Sequence, residues 1–407
     1  MIQHSIELLA PAGDLEKLKT AIRFGADAVY FGGEVGGLRA GAGNLSIPEM
    51  AEAMDFVHQH HARGYLTLNI YPHQEDLEPL RAYLEQIKDL PIDAFIVSDP
   101  GVMTLLPEII PDAEIHISTQ ANTTNLRTAQ FWASQPGVKR IVTAREMTLE
   151  EIRSMRDGLP EDIEIEAFVH GAMCMSYSGR CLLSNFMTGR DANRGACSHP
   201  CRWKYVLMEE KRPGEYYPIE EDGRGSYILN SRDICMIDRL PDLIDAGVMS
   251  LKIEGRMKSA FYVATVVAAY RTALDAYLAD PEHYIFRSEW MDELRKASHR
   301  EFSYGFYDGK EQVSQNFETS DYERDYSFIG VVLGQDGEYT TVEQRNKFSV
   351  GDRIEIFGPR TPYTEDTVEE ILNEEGNPME SAPHPQQFLR VKLSKTYPEH
   401  FLLRKKK

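Results

Sequence analysis

Short apolar runs alternate with amphipathic helical stretches from the N-terminus to about residue 280, and this alternation restricts the fold more than any other feature. The runs predict eight strands: IELLAP (6–11), DAVYFGG (27–33), YLTLNI (65–70), AFIVSD (94–99), EIHIST (114–119), RIVTAR (140–145), IEAFVHG (165–171) and MSLKIEG (249–255). They are apolar almost throughout, as expected when both faces of a parallel sheet are covered. Eight strand–helix units favour an α/β fold of the TIM-like (β/α)8 barrel type, with a doubly wound open sheet as the alternative.

Polar or charged residues follow almost every predicted strand. They are Asp14, Asn69, Asp99, Gln120, Arg145, Glu146, His170, Glu254 and Arg256. In a barrel the carboxyl ends of the strands meet at one face, where active sites lie. Polar residues also end many strands for no functional reason, so the whole set, rather than any one member, predicts a site at this face.

The seventh strand–helix unit carries a long insertion before the last strand, predicted over 172–248. Roughly 80 residues occupy a connection for which a helix and two turns would suffice. The insertion contains every cysteine, a predicted hairpin of KYVLMEE and SYILN, and the stretch SRDICMIDRLPDLIDAG. That stretch predicts the crossover helix, capped by Ser231 or Asp233 and ended by Gly247. A long insertion at the active face of a barrel is usually functional.

The pattern changes near the end of the barrel. We predict a catalytic barrel domain over 1–298, a linker over 299–325 and a small all-β domain over 326–407. YSFIGVVLG, YTTVEQ, DRIEIFG and FLRVKL predict strands of this last domain, most simply arranged as a closed barrel. Small β-barrels often bind oligonucleotides but many serve only in packing, so both roles are open for this domain.

The cysteines are concentrated in polar, glycine-rich segments, with the spacing C-x6-C-x15-C-x3-C-x33-C. They are Cys174, Cys181, Cys197, Cys201 and Cys235. Cysteines that only pack would not gather in such loops, and a reducing cytoplasm argues against disulfides. Structural zinc prefers C-x2-C, which does not occur. The spacing therefore favours an iron–sulfur cluster over zinc or a catalytic thiol, and it does not choose between Cys197 and Cys201 as ligand.

Charge and hydropathy limit the location and the partners of the chain. The start MIQHSIELLAPAGDLEK lacks the features of a signal peptide, and the apolar run FYVATVVAAY is too short to span a bilayer, so we expect a cytoplasmic protein without a membrane role. The net charge of −20 opposes nonspecific binding to nucleic acid. Positive charge is nevertheless concentrated at Arg180, Arg190, Arg194, Arg202, Lys204 and the terminal RKKK (404–407). A mixed solvated surface is the plainer interpretation of these residues.

The segment around the first two cysteines resembles a known family. Glu166, Phe168, His170, Gly171, Ala172, Met173 and Cys174, followed by Gly179, Cys181, Leu183 and Ser184, are similar to the signature of the collagenase-like peptidase family U-32. LLAPAG, DAVYFGG, NRGACSHPCRWKY, NSRDICMID and LKIEGRMKS with Tyr262 also resemble this family. The resemblance extends over almost the whole chain, including the C-terminal β domain.

Within this family, the chain most resembles the branch whose bacterial members hydroxylate tRNA. The resemblance implies oxygen-independent conversion of the wobble uridine to 5-hydroxyuridine, with prephenate as co-substrate and a [4Fe–4S] cluster. It also implies that Cys174, Cys181, Cys197 and Cys235 are the ligands and that Cys201 is spare. Relatives in the family hydroxylate ribosomal RNA or act in ubiquinone synthesis, so a different RNA or a small molecule is an alternative substrate.

If the chain is such a hydroxylase, the strand ends supply the remaining groups. His170 and Glu254 are the predicted proton-transfer residues. The carboxylates of prephenate are predicted to bind Arg145, Arg232, Lys252 and Arg256. The purely structural alternative is an internal ion pair formed by Lys252 and Glu254. The anticodon loop is predicted to contact the basic residues of the insertion, the RKKK terminus, Trp203 and Tyr205.

A peptidase is the alternative function. Neither H-E-x-x-H nor G-x-S-x-G occurs, which leaves a cysteine peptidase with Cys174 or Cys181 as nucleophile and His170 as base. Thiolates bound to a cluster cannot also be nucleophiles, so the two hypotheses exclude each other at the same residues. The sequence does not indicate an oligomeric state.

Overall fold

The computed structural model describes residues 6–37, 43–174, 176–178, 180–203, 206–207, 217–218, 232–309 and 323–407. Up to residue 303 the strands are β1 (Glu7–Pro11), β2 (Ala28–Gly32), β3 (Arg63–Leu68), β4 (Ala94–Val97), β5 (Ile115–Ile117), β6 (Val138–Val142), β7 (Glu164–Ala172), β8 (Val206–Leu207), β9 (Tyr217–Pro218), β10 (Asp233–Cys235), β11 (Ser250–Ile253) and β12 (Phe302–Ser303). Strands β1 to β7 pair in chain order, and β11 pairs in parallel with both β1 and β7. This closes an eight-stranded parallel barrel, so the predicted barrel and its eight strands are confirmed.

Helices cover the outside of the barrel, except the short helix of residues 183–188, which lies in the insertion. They are α1 (Leu15–Arg23), α2 (Ile47–Gln59), α3 (Leu77–Ile87), α4 (Pro100–Ile109), α5 (Leu126–Ala133), α6 (Leu149–Asp157), α7 (Leu183–Thr188), α8 (Leu240–Asp245), α9 (Ala260–Ala279) and α10 (Ser288–Lys296). Two of the strand-end residues cap helices, because Asp14 accepts from the Lys17 amide and Asp99 from the Gly101 amide. Among the helices of the described residues, none combines the length and apolar character needed to cross a membrane.

Cys235 lies on a strand rather than in the predicted crossover helix. Strand β10 pairs antiparallel with the end of β7, which places Cys235 opposite His170. The Met236 amide continues this pairing with a 2.9 Å hydrogen bond to the Val169 carbonyl. Pairing with β7 thus overrides the local helix signals, and α8 begins only at Leu240 and is followed by Gly247 with φ +87°. Of the two predicted caps, Asp233 lies in β10 and Ser231 lies outside the described residues.

The predicted hairpin and the predicted linker are described only in part. Strand β8, in the predicted KYVLMEE strand, pairs antiparallel with β9, which lies in the predicted loop, while SYILN (226–230) lies outside the described residues. In the predicted linker, residues 310–322 also lie outside the description. Its beginning packs on the barrel, since β12 pairs in parallel with β10.

An all-β domain follows, as predicted. Its strands are β13 (Tyr326–Asp336), β14 (Tyr339–Gln344), β15 (Phe348–Ser349), β16 (Arg353–Gly358), β17 (Thr361–Thr367), β18 (Glu370–Leu372), β19 (Pro378–Met379), β20 (Ser381–Ala382), β21 (Phe388–Lys392) and β22 (Leu402–Lys406). Eight of them form one antiparallel sheet in the order β17-β16-β22-β13-β14-β21-β18-β19. Its core contains Ile329, Val342 and Ile356.

The terminal RKKK segment is largely part of this sheet rather than a basic tail. Arg404, on β22, is fully buried and its guanidinium contacts Glu293 of α10 (2.8 Å) and Glu355 of β16 (2.6 Å). The rings of Phe261 on α9 and Phe328 on β13 stack beside these ion pairs, with centroids 5.3 Å apart. Charged and apolar contacts together fix the β domain against the outside of the barrel.

Candidate active site

A cavity of about 110 Å³ opens at the carboxyl ends of the barrel strands, beneath the insertion. Strand ends and the residues after them supply its floor, including Thr67, Asn69, Gln120, Arg145, Phe168, Lys252, Glu254 and Arg256. The insertion supplies its roof, including Met173, Cys174, Tyr177, Cys181, Asn193, Cys197, His199 and Cys201. The cavity therefore brings most of the predicted site residues together, at the barrel face where the strand-end pattern predicts a site.

The roof is attached to the barrel by several polar contacts. The side-chain amide of Asn122 donates to the Ser178 carbonyl at 3.2 Å, and the guanidinium of Arg180 lies 4.9 Å from the centre of the Tyr71 ring. Within the roof, the Ser184 hydroxyl contacts the Ser198 hydroxyl at 2.9 Å. These contacts position the cysteine-bearing segments over the strand ends.

Three buried cations line the floor of the cavity. Arg145 pairs with Glu254 at 3.2 Å and stacks on the Phe168 ring, with 3.9 Å from the guanidinium carbon to the ring centroid. Lys252 donates to Glu166 at 2.6 Å, and Arg256 donates to the side-chain oxygen of Asn44 at 2.7 Å. Arg145 and Lys252 are thus paired with carboxylates, and the three cations together bring positive charge to the floor of the cavity.

Glu166 is the buried counter-ion of Lys252. Burial alone would raise the pKa of this carboxyl, but Lys252 and Arg140 lower it below its usual value. From the sequence, an ion pair between Lys252 and Glu254 is the structural alternative. In the structure, Lys252 pairs with Glu166 instead, and Glu254 pairs with Arg145. The sequence reasoning gave Glu166 no role, although its place two residues before Phe168 on β7 puts it on the inner face.

Two glycines of the family motifs make room for this floor. A Cβ atom at Gly32 would lie 2.1 Å from the Arg256 guanidinium. A Cβ atom at Gly171, where φ is +104°, would lie 2.5 Å from the Glu254 carbonyl oxygen. Gly171 therefore needs glycine for its conformation as well as for space, whereas a side chain at Gly32 would have to displace the Arg256 guanidinium.

Two buried amide oxygens of the cavity have no hydrogen-bond partner among the described residues. They are Oε1 of Gln120 and Oδ1 of Asn193. The backbone around them is fixed, since Tyr71 donates to the Gln120 carbonyl and Asn193 accepts from the Tyr71 amide at 3.4 Å. A buried acceptor without a donor is costly, so these oxygens suit a ligand that brings N–H groups. The strand-end pattern included Gln120 without a role, and Asn193 begins the family-like stretch NRGACSHPCRWKY but was also given no role.

His170 does not reach the cavity. It is buried on the outside of the barrel among the rings of Tyr262, Tyr270 and Phe302, with centroids 5.5 to 6.0 Å away. Burial, with smaller contributions from His299 and Lys258, lowers its pKa to about 3. The ring is therefore neutral at neutral pH, and its surroundings are those of a packed side chain.

Arg232 also lies away from the cavity. Its guanidinium pairs with Glu301 at 3.0 Å, beside β12. The structure thus gathers Arg145, Lys252, Arg256 and Glu254 around one space and leaves Arg232 and His170 outside it.

The five cysteines are free thiols in two environments. Cys174, Cys181, Cys197 and Cys201 line the cavity, and Cys174 is exposed. Cys235 is buried behind β7, where its sulfur lies 3.8 Å from the Tyr270 hydroxyl and 4.0 Å from the Met291 sulfur. Burial raises the pKa of the Cys235 thiol to about 12.

A cluster fits the donor chemistry of this cavity. Four soft thiols surround one space, and the His199 amide points at the Cys197 sulfur from 3.4 Å. Within the described residues, however, no group of three or more side chains is gathered around a single metal position. Three of the ligands implied by the family line the cavity, whereas the fourth, Cys235, lies outside it and Cys201 lies inside.

Comparison with known proteins identifies relatives over most of the chain. The family model described as "Peptidase family U32" matches residues 13–316, and that described as "Peptidase family U32 C-terminal domain" matches residues 324–404. The Bacillus subtilis (strain 168) "tRNA hydroxylation protein P1" is 43% identical over 400 residues, which cover 97% of this chain and 94% of that protein.

Two other relatives have different names. The Escherichia coli (strain K12) "23S rRNA 5-hydroxycytidine C2501 synthase" is 40% identical over 277 residues, or 68% of this chain and 40% of that protein. The Porphyromonas gingivalis "Collagenase" is 31% identical over 385 residues, or 91% of each. Proteins similar to this chain are thus named for RNA hydroxylation and for proteolysis.

Proposed function

The chain belongs to peptidase family U32, and from this membership and the chemistry of the cavity we propose that it is an enzyme that hydroxylates a uridine of tRNA. The observation that carries the proposal is one cavity that combines thiols, buried cations and unpartnered amide oxygens. The similarity to proteins named for tRNA and rRNA hydroxylation supports the same reaction class. The enzyme would work in the cytoplasm, where tRNA is found.

We propose that the substrate base is the wobble uridine, converted to 5-hydroxyuridine. A base of the anticodon loop is already outside a duplex, so its extrusion into a pocket costs little. The oxygens of Gln120 and Asn193 would accept the N3–H group of uracil, a donor that cytosine lacks at this position.

The buried cations suit prephenate, which carries two carboxylates. Arg145 and Arg256 have the planar geometry for two-point binding of a carboxylate, and Lys252 adds a point charge. Replacing the C5 hydrogen of uridine by hydroxyl is a two-electron oxidation, so a co-substrate besides RNA is required. Glu254 lines the same cavity and is the better placed of the two predicted proton-transfer residues, because His170 lies outside.

Cys174, Cys181 and Cys197 would supply three ligands of a [4Fe–4S] cluster. The fourth would be Cys235, as the family resemblance implies, or Cys201, which lines the cavity. A bound cluster would supply electron transfer or Lewis-acid polarisation of a substrate oxygen. The surrounding residues would bind and orient the substrates and exclude water.

Iron content and tRNA nucleosides together test the proposal. Protein purified without oxygen should be coloured and contain iron, and alanine at Cys174, Cys181 or Cys197 should remove it. Of Cys201→Ala and Cys235→Ala, one should lose the cluster and the other keep it, which assigns the fourth ligand. In a strain that lacks the protein, tRNA should lose 5-hydroxyuridine, and the wild-type gene should restore it.

A cysteine peptidase is the second candidate, because Cys174 is exposed in the cavity and one relative is named collagenase. Its predicted base, His170, lies outside the cavity. A colourless, iron-free protein that cleaves collagen peptides, together with unchanged tRNA nucleosides in the deletion strain, would replace the hydroxylase with this function.

A further inference from the structure

A groove with a volume of about 660 Å³ lies between the barrel and the β domain. One wall is the loop after β11 with the start of α9, from Gly255 to Tyr262, and the other is the start of β13 with Lys407. The volume is within the roughly 300–1,000 Å³ of ordinary ligand pockets, whereas the active-site cavity is smaller than that range. The groove is thus the roomier of two adjoining spaces.

The groove adjoins the active-site cavity. Ala172, His199 and Glu254 line both spaces. A polynucleotide whose base occupies the small cavity must continue outside it on both sides of that base. The shared edge makes the groove a direct path for the neighbouring nucleotides.

The charge of the groove is opposite to that of the chain as a whole. Its walls carry Lys258, Arg324 and Lys407, and the carboxylate among them, Glu254, is paired with Arg145. The chain has a net charge of −20, so three cations along one groove depart from its average surface. Arg324 and Lys407 are exposed, which leaves them accessible to a bound polyanion.

Aromatic rings lie beside these cations. Tyr326 and Phe328 are partly exposed on the wall formed by the β domain, and the Lys258 ammonium lies 5.0 Å from the centre of the Tyr262 ring. Cations combined with aromatic faces are typical of grooves that hold single-stranded nucleic acid.

The two walls have a fixed separation. Phe328 stacks on Phe261, and the buried Arg404 joins Glu355 of the β domain to Glu293 of the barrel. Lys258 is itself held by a 3.0 Å hydrogen bond to the Ser298 carbonyl. The groove is therefore formed before any ligand arrives, which reduces the ordering cost of binding.

We propose that this groove binds the phosphodiester backbone of the nucleotides next to the modified uridine, so that the β domain forms part of the RNA site. The proposal rests on the proposed function, because it takes the base in the cavity to belong to RNA. The cations contact phosphates, and the tyrosine and phenylalanine rings contact the sugars or bases. The role of the β domain is then recognition of the substrate in addition to packing.

Equilibrium binding of an anticodon stem-loop RNA to the holoprotein tests this. Arg324→Gln/Lys407→Gln should bind about tenfold more weakly than wild type, and the slope of log affinity against log salt should fall by about 0.7 for each lost phosphate contact. The matched control is Lys88→Gln/Lys139→Gln, two exposed lysines at the opposite end of the barrel. It should bind like wild type, with iron content and melting temperature unchanged in both double variants.

The outcomes separate the groove from the reaction. Suppose that wild type, the groove variant and the control variant bind RNA with equal affinity and equal salt slope, while the wild-type gene restores 5-hydroxyuridine in the deletion strain. This result would overturn the proposed role of the groove and leave the proposed hydroxylase function intact. If wild type instead fails to restore 5-hydroxyuridine but binds RNA through Arg324 and Lys407, the proposed function fails and the groove stands. An equal loss of affinity in the control pair would also overturn the groove, since the effect would then come from net charge alone.

Discussion

Arg140 is the centre of a buried ionic network inside the barrel, beneath the cavity. Its guanidinium contacts Glu7 at 2.5 Å, Glu164 at 2.6 Å and Glu166 at 3.1 Å, and Glu166 in turn accepts from Lys252. Burial opposes the charge on Glu7, but the charge and hydrogen bonds of Arg140 lower its pKa to about 2. A buried charge that loses its partner costs several kcal/mol, so these residues depend on one another.

In the Glu7→Gln variant, the free energy of unfolding should fall less at acid pH than it does in wild type. Because the pKa of Glu7 is about 2 in the folded chain against an ordinary 4.5, its contribution to stability is complete above pH 4.5 and is lost as the pH falls through 2. Between pH 7 and pH 3.5, Glu7 should account for a loss of about 1–2 kcal/mol in the free energy of unfolding. Urea unfolding at both pH values measures this, with the exposed Glu78→Gln as control. Identical pH responses in wild type and Glu7→Gln would contradict it.

The sequence predicted the residues of the barrel site correctly where the strands keep their regular alternation of inward and outward side chains. Arg145, Lys252, Glu254 and Arg256 lie where strand ends place them. His170 does not, because the pairing of β7 with β11 shifts register between Phe168 and His170. A bulge of this kind turns the following side chain to the other face, and no residue pattern announced it.

At the scale of elements, strand β7 continues beyond the barrel, and its pairing partner on one side changes from β6 to β10. Its lower part pairs with β6, and its last residues pair with β10. Gly171 lies in this extension with φ +104°, and its Cα lies close to the carbonyl of Glu254. The extension therefore supports both the roof of the cavity and the position of Glu254.

Gly171→Ala should destabilise the chain by more than about 2 kcal/mol and reduce 5-hydroxyuridine formation, because the Cβ atom meets the Glu254 carbonyl and the conformation is strained. Gly189→Ala is the matched control, since Gly189 also has positive φ, +67°, but no atom of the described residues lies within 4 Å of its Cβ position. It should lose only about 1 kcal/mol. Urea unfolding measures both variants, and equal losses would show that contact with Glu254 has no effect.

Elements that sequence reasoning missed lack a hydrophobic period. Strand β17 is exposed along nearly its whole length, and β18 to β20 are two or three residues long. Such strands are specified by pairing with neighbours distant in sequence. The crossover helix was predicted to begin too far toward the N-terminus for a related reason. Asp233 is a good helix cap judged by local sequence, but it lies in β10, which pairs with β7.

At the scale of the whole molecule, barrel and β domain share one buried boundary. Phe357 and Leu402 of the β domain belong to the hydrophobic core of the barrel. The Arg404 ion pairs lie beside them, and Arg345 forms a second, exposed ion pair with Glu16 at 2.7 Å. The two domains should therefore unfold as one cooperative unit.

Arg404→Met should separate the unfolding of the two domains. The change leaves Glu293 and Glu355 with Lys296 as their remaining cation, at a cost of about 3 kcal/mol. Calorimetry should then show two transitions in place of one. The control Arg345→Met removes the exposed pair with Glu16 and a longer contact with Glu343 at 3.4 Å, and it should cost less than about 1 kcal/mol. A single, equally stable transition in Arg404→Met would rule out the coupling.

The two cysteine environments also determine the order in which the thiols are oxidised in air. Cys174 is open to solvent and three more thiols line the same cavity, while Cys235 is enclosed and remains protonated because its pKa is raised. In protein that holds no cluster, oxidants react with accessible thiolates, so sulfenic and sulfinic acids will form first around the cavity and last at Cys235. Oxidative damage will accordingly disable the active site while the barrel beneath it stays folded, and a well-folded but inactive preparation is the expected result of aerobic handling.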